Sequence, residues 1–223
     1  MPKHPSSQDI KLAVDAAIFT VRDGVFMTLL IQMKKVPFEG QWAFPGGLLE
    51  DDETCEAAAR RILASATGVK DAYLEQLATF DEPSRDPFGR VVSVASFALM
   101  PSERVALRTT EKYADVRWWP VAKLPALAYD HGHLAKVAVS RIRAKLGYTN
   151  VVWSLLPKTF TLAALQEVYE AILGETLDKR NFRKKALSSG ILEATGAYET
   201  GAAHRPAELF RFAQRKLAHI ELL

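Results

Sequence analysis

A pair of glycines after Pro45 opens a segment that closes on Gly68-Val69, and the residues between are patterned throughout: an acidic run, Glu50-Asp51-Asp52-Glu53, then helix-forming residues as far as Ala66. Glycines ahead of a helix let backbone N–H groups approach an anion, and the positive end of the helix adds to the attraction. The segment therefore predicts an anion-holding loop at Gly46 and Gly47 followed by a helix over Glu53–Ala66. Positions 62, 65 and 66 share one helical face because they are spaced i, i+3 and i+4. They carry Ile62, Ser65 and Ala66, and no acidic side chain occurs from Ala57 to Lys70. That face cannot supply the hard oxygen ligands that a magnesium ion requires.

Gly47, Glu53, Arg61, Leu63, Gly68 and Val69 follow the spacing of the Nudix signature. The segment resembles a Nudix hydrolase box in which Ile62, Ser65 and Ala66 stand where the three later glutamates belong. The resemblance implies a cradle that binds a nucleoside diphosphate without cutting it, with no catalytic residue, no metal and no cofactor. Glu50, Asp51, Asp52, Glu53 and Glu56 lie just upstream and could hold a cation only weakly. Glu53 and Arg61 belong to the expected ligand cradle; their bland alternative is a surface ion pair.

Composition narrows the class without naming a function. At 223 residues, 48% hydrophobic and 25% charged, the chain suits one large domain or two small ones. Two are favoured. A single cysteine, Cys55, excludes an intramolecular disulfide. Neither a signal-peptide core nor a membrane-spanning apolar run is evident, so a cytoplasmic protein is expected. The net charge of +3 is spread along the chain: residues 148–223 carry ten Lys/Arg against eight Asp/Glu. A non-specific polyanion binder is therefore disfavoured, and any DNA contact must be a focused patch.

The first half reads as α/β. Strands are expected at Leu12–Val21 and Val25–Met33 around an Asp23-Gly24 hairpin turn, then at Leu74–Phe80, Val91–Leu99 and Val116–Val121, with a closing helix at His131–Leu146. These elements resemble the α/β/α Nudix sandwich, assigned to residues 1–147. Between two of the strands lies Phe80-Asp81-Glu82-Pro83-Ser84-Arg85-Asp86-Pro87-Phe88-Gly89-Arg90. It resembles the loop of Nudix proteins that handle ADP-ribose, which places Arg85, Asp86 and Arg90 in the ligand site. An arginine can grip a phosphate with its planar fork or stack on a base. Phe44, with Phe38 and Trp42, is placed to flank a base or to fill the core. His131-Gly132-His133 is read as a helix start, since an i, i+2 pair points to different helical faces.

The second half changes the expected function. Thr161 can cap a helix whose apolar residues Leu162, Leu165, Val168, Tyr169 and Ile172 follow the helical period to Gly174. After a short turn, Asp178 can cap a second helix running from Lys179 to Gly190, with Phe182 and Leu187 expected to face inward. Lys179, Arg180, Arg183, Lys184 and Lys185 cluster on it with Asn181, the composition of a recognition helix. A hairpin follows, from Ile191-Leu192-Glu193 to Glu208–Phe212, with His204 and Arg205 near its tip. Helix, turn, basic helix and hairpin make a winged helix-turn-helix over residues 148–223.

Taken together, the halves resemble the Nudix-related transcriptional regulators. The fit covers nearly the whole chain, most specifically from Phe160 to Thr195. That resemblance implies a cytoplasmic homodimeric repressor of NAD-metabolism genes that binds a double-stranded operator and is released by ADP-ribose. The DNA contacts would come from Thr161, Lys179, Arg180, Asn181, Arg183, Lys184, Lys185, His204 and Arg205. Two rival readings stay open: an active Nudix pyrophosphatase with unusual metal ligands, and a sugar-responsive regulator of the same architecture.

Overall fold

Alternate residues of the first strand, β1 (Lys11–Arg22), enter two different cores: Val14, Ala16 and Ile18 one, Ala17 and Phe19 the other. A strand buried on both faces must lie inside a layered domain. The computed structural model, which describes residues 9–107, 109, 113–199 and 206–220, places it at the centre of a seven-stranded mixed sheet. Asp23 and Gly24 both take left-handed backbone angles, φ 51° and 69°, the geometry a two-residue hairpin turn needs. This turn returns the chain into β2 (Val25–Met33).

Two short strands escaped the sequence pattern, β3 (Trp42–Ala43) and β4 (Gly46–Leu48). Then come α1 (Cys55–Thr67), β5 (Tyr73–Phe80), β6 (Val91–Leu99), β7 (Tyr113–Pro120) and α2 (His131–Tyr148). The main path of the sheet is β3-β2-β1-β6-β5, with β4 on β1 and β7 on β2. Of the pairings between these strands, β1–β6 is parallel and the others are antiparallel. Helix α1 starts where the Thr54 hydroxyl accepts the Ala57 N–H and stops at Gly68, φ 74°, whose N–H reaches the Ala64 carbonyl at 2.8 Å. It buries Ala58, Ala59, Ile62, Leu63 and Ala66 in one core, while α2 closes the other.

The C-terminal part adds α3 (Leu162–Leu173), α4 (Lys179–Ser188) and a hairpin of β8 (Leu192–Tyr198) with β9 (Glu208–Phe212). Tyr169 on α3 meets Phe182 on α4 with ring centroids 5.3 Å apart, and Phe160 pairs with Phe210 through bonds of 2.9 and 2.8 Å. These residues share one apolar cluster with Phe19, Phe97, Leu134 and Ile142, so the two halves bury a common core. No described helix is long and apolar enough to cross a membrane.

One expectation fails in this region. Leu187 is 48% exposed, whereas Phe182 and Ala186 form the buried stripe of α4. Residues five apart on a helix lie about 140° from each other, so Phe182 and Leu187 cannot both face inward. The helix also ends at Ser188 rather than Gly190.

Candidate ligand cavity and nucleic-acid interface

A charged residue inside an apolar strand has to find partners, and Asp15 finds three. Ser93 Oγ donates to its Oδ2 at 2.6 Å, Arg85 Nη2 lies 3.3 Å from the same oxygen, and His131 Nε2 stands 3.6 Å from Oδ1. Phe44 N–H donates to His131 Nδ1 at 3.0 Å, which assigns the ring proton to Nε2, the nitrogen facing Asp15. Burial alone would push the Asp15 carboxyl up. The His131 ring, the Ser93 hydroxyl and the Arg85 guanidinium outweigh it and hold that carboxyl below its ordinary range.

Asp15, Arg85 and His131 line a cavity of about 540 Å³ together with Phe44, Gly46, Gly47 and Asp86, and Ser93 supports Asp15 from behind it. Its size suits a small organic ligand. Gly46 is required there, because a Cβ at that position would lie 2.1 Å from Asp15 Oδ1. Lys34, Lys35, Tyr113 and Tyr129 complete the mouth. Sequence reasoning missed Asp15, Ser93, the two lysines, both tyrosines and the cavity role of His131. The lone aspartate in Leu12-Ala13-Val14-Asp15-Ala16-Ala17 was the available signal.

Arg85 is buried, as a site residue can be, but its fork is occupied. Nε and Nη2 donate to Asp130 at 3.0 and 2.8 Å, so a phosphate can take that fork only by displacing Asp130. Three other predicted ligand residues do not line the cavity. Glu53 accepts from Arg61 Nε at 2.9 Å and from the Glu50 N–H at 3.0 Å, and Arg61 Nη2 reaches the Leu48 carbonyl at 3.4 Å. This pair clamps the chain leaving β4 onto α1. The hydrogen bond from Arg61 holds the Glu53 carboxyl below its ordinary range. Arg90 Nη1 donates to the Asp81 carbonyl at 2.6 Å and closes the base of its own loop.

The positions of the missing glutamates have structural occupants: Ile62 and Ala66 are buried in the α1 core, and Ser65 is exposed. Among the described residues, no group of three or more His, Cys, Asp or Glu side chains is arranged to hold a metal ion.

Helix α2 connects the cavity to the C-terminal half. Its 18 residues give a rod about 27 Å long, with His131 in the cavity wall at one end. Asp130 occupies the N-cap position, yet its carboxylate faces Arg85 and makes no capping bond. Farther along, Lys145 Nζ pairs with Glu75 on β5 at 2.8 Å, and Arg143 Nε donates to the Ile172 carbonyl of α3 at 2.8 Å. The rod is thus pinned to the sheet and to the last turn of α3, immediately ahead of the turn into α4.

The basic face on α4 is built as the sequence suggests. Asp178 Oδ1 accepts the Asn181 N–H at 2.7 Å and caps the helix. Lys179, Arg180, Asn181, Arg183 and Lys184 are exposed, and Lys185 is half-buried. None of the five cations forms an ion pair with a described residue. Glu170 fixes the turn before α4 by accepting the Leu177 N–H and Gln166 Nε2, each at 2.8 Å. Thr161 is different: its hydroxyl accepts the Ala164 N–H at 3.1 Å and its side chain is buried, which makes it the cap of α3. His204 and Arg205 lie outside the described residues.

Comparison with known proteins matches both halves. Residues 10–138 fit the model of the NUDIX domain, and residues 152–212 fit that of the NrtR DNA-binding winged helix domain. The chain is 40% identical over 206 residues to the ADPR responsive transcriptional repressor NtrR of Acinetobacter baylyi, covering 91% of this chain and 82% of that one. Shewanella oneidensis NrtR complexed with a 27mer DNA superposes with a TM-score of 0.78 at 37% identity, covering 90% of this chain and 93% of that one. The NUDIX domain of the same Shewanella protein, complexed with ADP ribose, matches with a TM-score of 0.55 at 38% identity over 64% of this chain and 93% of that one.

Proposed function

Because this chain belongs to the NrtR family, in which a Nudix domain is joined to a DNA-binding winged helix, we propose that it is a transcriptional repressor released from its operator by ADP-ribose. The observation that carries the reading is the route from the cavity to the DNA-binding head: His131 sits in the cavity wall and begins the same helix whose Arg143 holds the last turn of α3.

The cavity chemistry suits a phosphorylated sugar. Asp15 Oδ1 is an acceptor for ribose hydroxyls, and Lys34, Lys35 and Arg85 supply positive charge for the diphosphate. A phosphate that takes the Arg85 fork sets Asp130 free, and the freed carboxylate can then cap α2. Asp130 therefore has two alternative partners, and the ligand favours one arrangement through its differential affinity. A tilt of α2 about Lys145 is delivered through Arg143 to α3 and so to α4. Acting as a cytoplasmic homodimer, the protein would place two α4 helices on a palindromic site, and the shift would spoil their spacing.

The effector is not hydrolysed in this scheme, because Ile62, Ser65 and Ala66 offer α1 no carboxylate. An intact effector gives a lasting signal of NAD turnover, which fits control of NAD-metabolism genes. The test is a gel-shift titration on a DNA fragment that the protein selects from a random pool. ADP-ribose should dissociate the complex, and with Mg²⁺ no AMP should appear. A complex indifferent to ADP-ribose, or steady AMP release, would overturn the reading.

A further inference from the structure

We propose that Arg215 is a positioning residue for effector release: by gripping the linker between the two halves from the far end of the chain, it makes the DNA-binding head follow α2 as one body. The proposal rests on the reading of the chain as a repressor released by ADP-ribose, and adds what carries the movement to the wing.

The linker between α2 and α3 contains a short 3₁₀ turn, Val151–Ser154, and helical turns leave their last carbonyls without partners of their own. Arg215, in the tail that follows β9, supplies the donors. Its Nη2 donates to the Trp153 carbonyl at 2.7 Å and to the Leu156 carbonyl at 2.8 Å, while Nη1 donates to the Pro157 carbonyl at 2.9 Å. Only a planar fork of N–H donors suits such a grip, and a lysine ammonium does not reproduce it. The guanidinium also lies 5.5 Å from the centroid of the Trp153 ring, and that ring meets Tyr73 of β5 edge-on at 6.3 Å. Tyr73 in turn donates its hydroxyl to Glu75, the carboxylate that pins Lys145 of α2. The grip is thereby fastened to the sheet.

Beyond Arg215 the tail continues as a strap along the end of α2. Asn150 Nδ2 donates to the Lys216 carbonyl at 3.0 Å, and Asn150 Oδ1 accepts the Ala218 N–H at 2.8 Å. The Asn150 N–H donates to the Ala218 carbonyl at 3.1 Å, and the Ile220 N–H donates to the Tyr148 carbonyl at 2.9 Å. Asn150 is 2% exposed, so its amide is committed to the tail. Rings stack as well, Tyr148 on His219 with centroids 6.1 Å apart.

The end of α2 therefore holds the head at two places: Arg143 on the last turn of α3, and Tyr148 with Asn150 on the tail that follows the wing. A body held at one point can swivel and lose a displacement; held at two, it must follow. Apolar packing is non-directional, so these directional bonds are what set the orientation of the head on α2. Held by Arg143 alone, α3 would move and the wing would lag.

Arg215→Ala and Arg215→Lys in the full chain test this. The readout is the factor by which saturating ADP-ribose weakens binding to the selected DNA fragment, with hydrogen exchange at the Ala218 and Ile220 amides reporting the strap itself. In Arg215→Ala both amides should exchange faster while α2 and the sheet keep their protection. ADP-ribose affinity, and DNA affinity in its absence, should stay close to the wild-type values. The weakening factor should shrink on the order of tenfold, the scale on which residues between two sites tune their coupling. Arg215→Lys should show the same loss, because it keeps the charge and lacks the fork. An undiminished factor in Arg215→Ala would overturn the proposal, and so would unchanged exchange at the two amides. Full recovery in Arg215→Lys, or a flatter salt dependence of DNA binding without ADP-ribose, would overturn it too, since each marks a charge acting on DNA. Protection lost throughout the chain would make Arg215 a residue of the fold and not of the coupling. A wild type indifferent to ADP-ribose would remove the repressor reading and this proposal together.

Discussion

Arg85 and Asp130, 45 residues apart in sequence, meet in a two-bond fork at 3.0 and 2.8 Å directly before the first turn of α2. The guanidinium is 97% shielded from solvent and also faces Asp15, so deleting it would strand two carboxylates in a poorly solvated site. Arg85→Ala should therefore destabilise the fold by about 3–5 kcal/mol and report little about the effector. Asp130→Asn is the cleaner probe, because asparagine still caps helices but binds the guanidinium without charge. The ADP-ribose concentration that half-dissociates the DNA complex should fall several-fold. A midpoint equal to that of wild type would remove this fork from the coupling.

Gly46 and Gly47 are neighbours with opposite constraints. A Cβ on Gly46 would meet Asp15 Oδ1 at 2.1 Å and the Val14 carbonyl at 3.2 Å, whereas one on Gly47 meets nothing within 4 Å. Gly46→Ala should lower stability by about 1–3 kcal/mol, as overpacking does, and weaken effector binding by displacing Asp15. Gly47→Ala should change the melting temperature little. Thermal denaturation of both variants checks the contrast, and equal losses would contradict the geometry.

Much of this was legible in the sequence because it is local. The α1 segment, the Asp23-Gly24 turn, α3 with its cap and the basic α4 all follow from short-range patterns, and the strand Val91–Leu99 has the bounds its apolar run suggests. The cavity was harder to read because its parts come from β1, β6, the loop after β5 and the start of α2. Arg85 lines the cavity, but nothing local in the sequence shows that Asp130 fills its fork. Glu53 and Arg61 were placed in the cradle when their bonds tie the loop to α1, a difference that only the direction of the side chains reveals. Leu187 was misplaced by a spacing that helical geometry rules out.

Restoring the glutamates of the Nudix pattern should not restore hydrolysis readily. Ile62 and Ala66 are 6% and 2% exposed within the α1 core, so Ile62→Glu and Ala66→Glu each put a carboxyl among apolar side chains. An unpaired buried carboxyl costs several kcal/mol or stays protonated. Either change should lower the melting temperature clearly, whereas Ser65→Glu, at an exposed position, should not. A triple variant that melts like the wild type and releases AMP from ADP-ribose with Mg²⁺ would show that this helix face is open enough for metal chemistry.

On α4, the cations and the cap should separate into two kinds of effect. Arg183 is exposed and without an ion-pair partner among the described residues, so Arg183→Ala should weaken operator binding without lowering the melting temperature. If Arg183 meets a phosphate, the slope of log affinity against log salt should flatten by about one unit. Thr161→Ala should do the reverse. Its hydroxyl caps α3, so the loss is about 1 kcal/mol of stability, with the salt slope unchanged. Operator titrations at several salt concentrations, read beside thermal melts, resolve the two. A flattened slope in Thr161→Ala would return that residue to the DNA interface, and an unaltered affinity in Arg183→Ala would take Arg183 out of it.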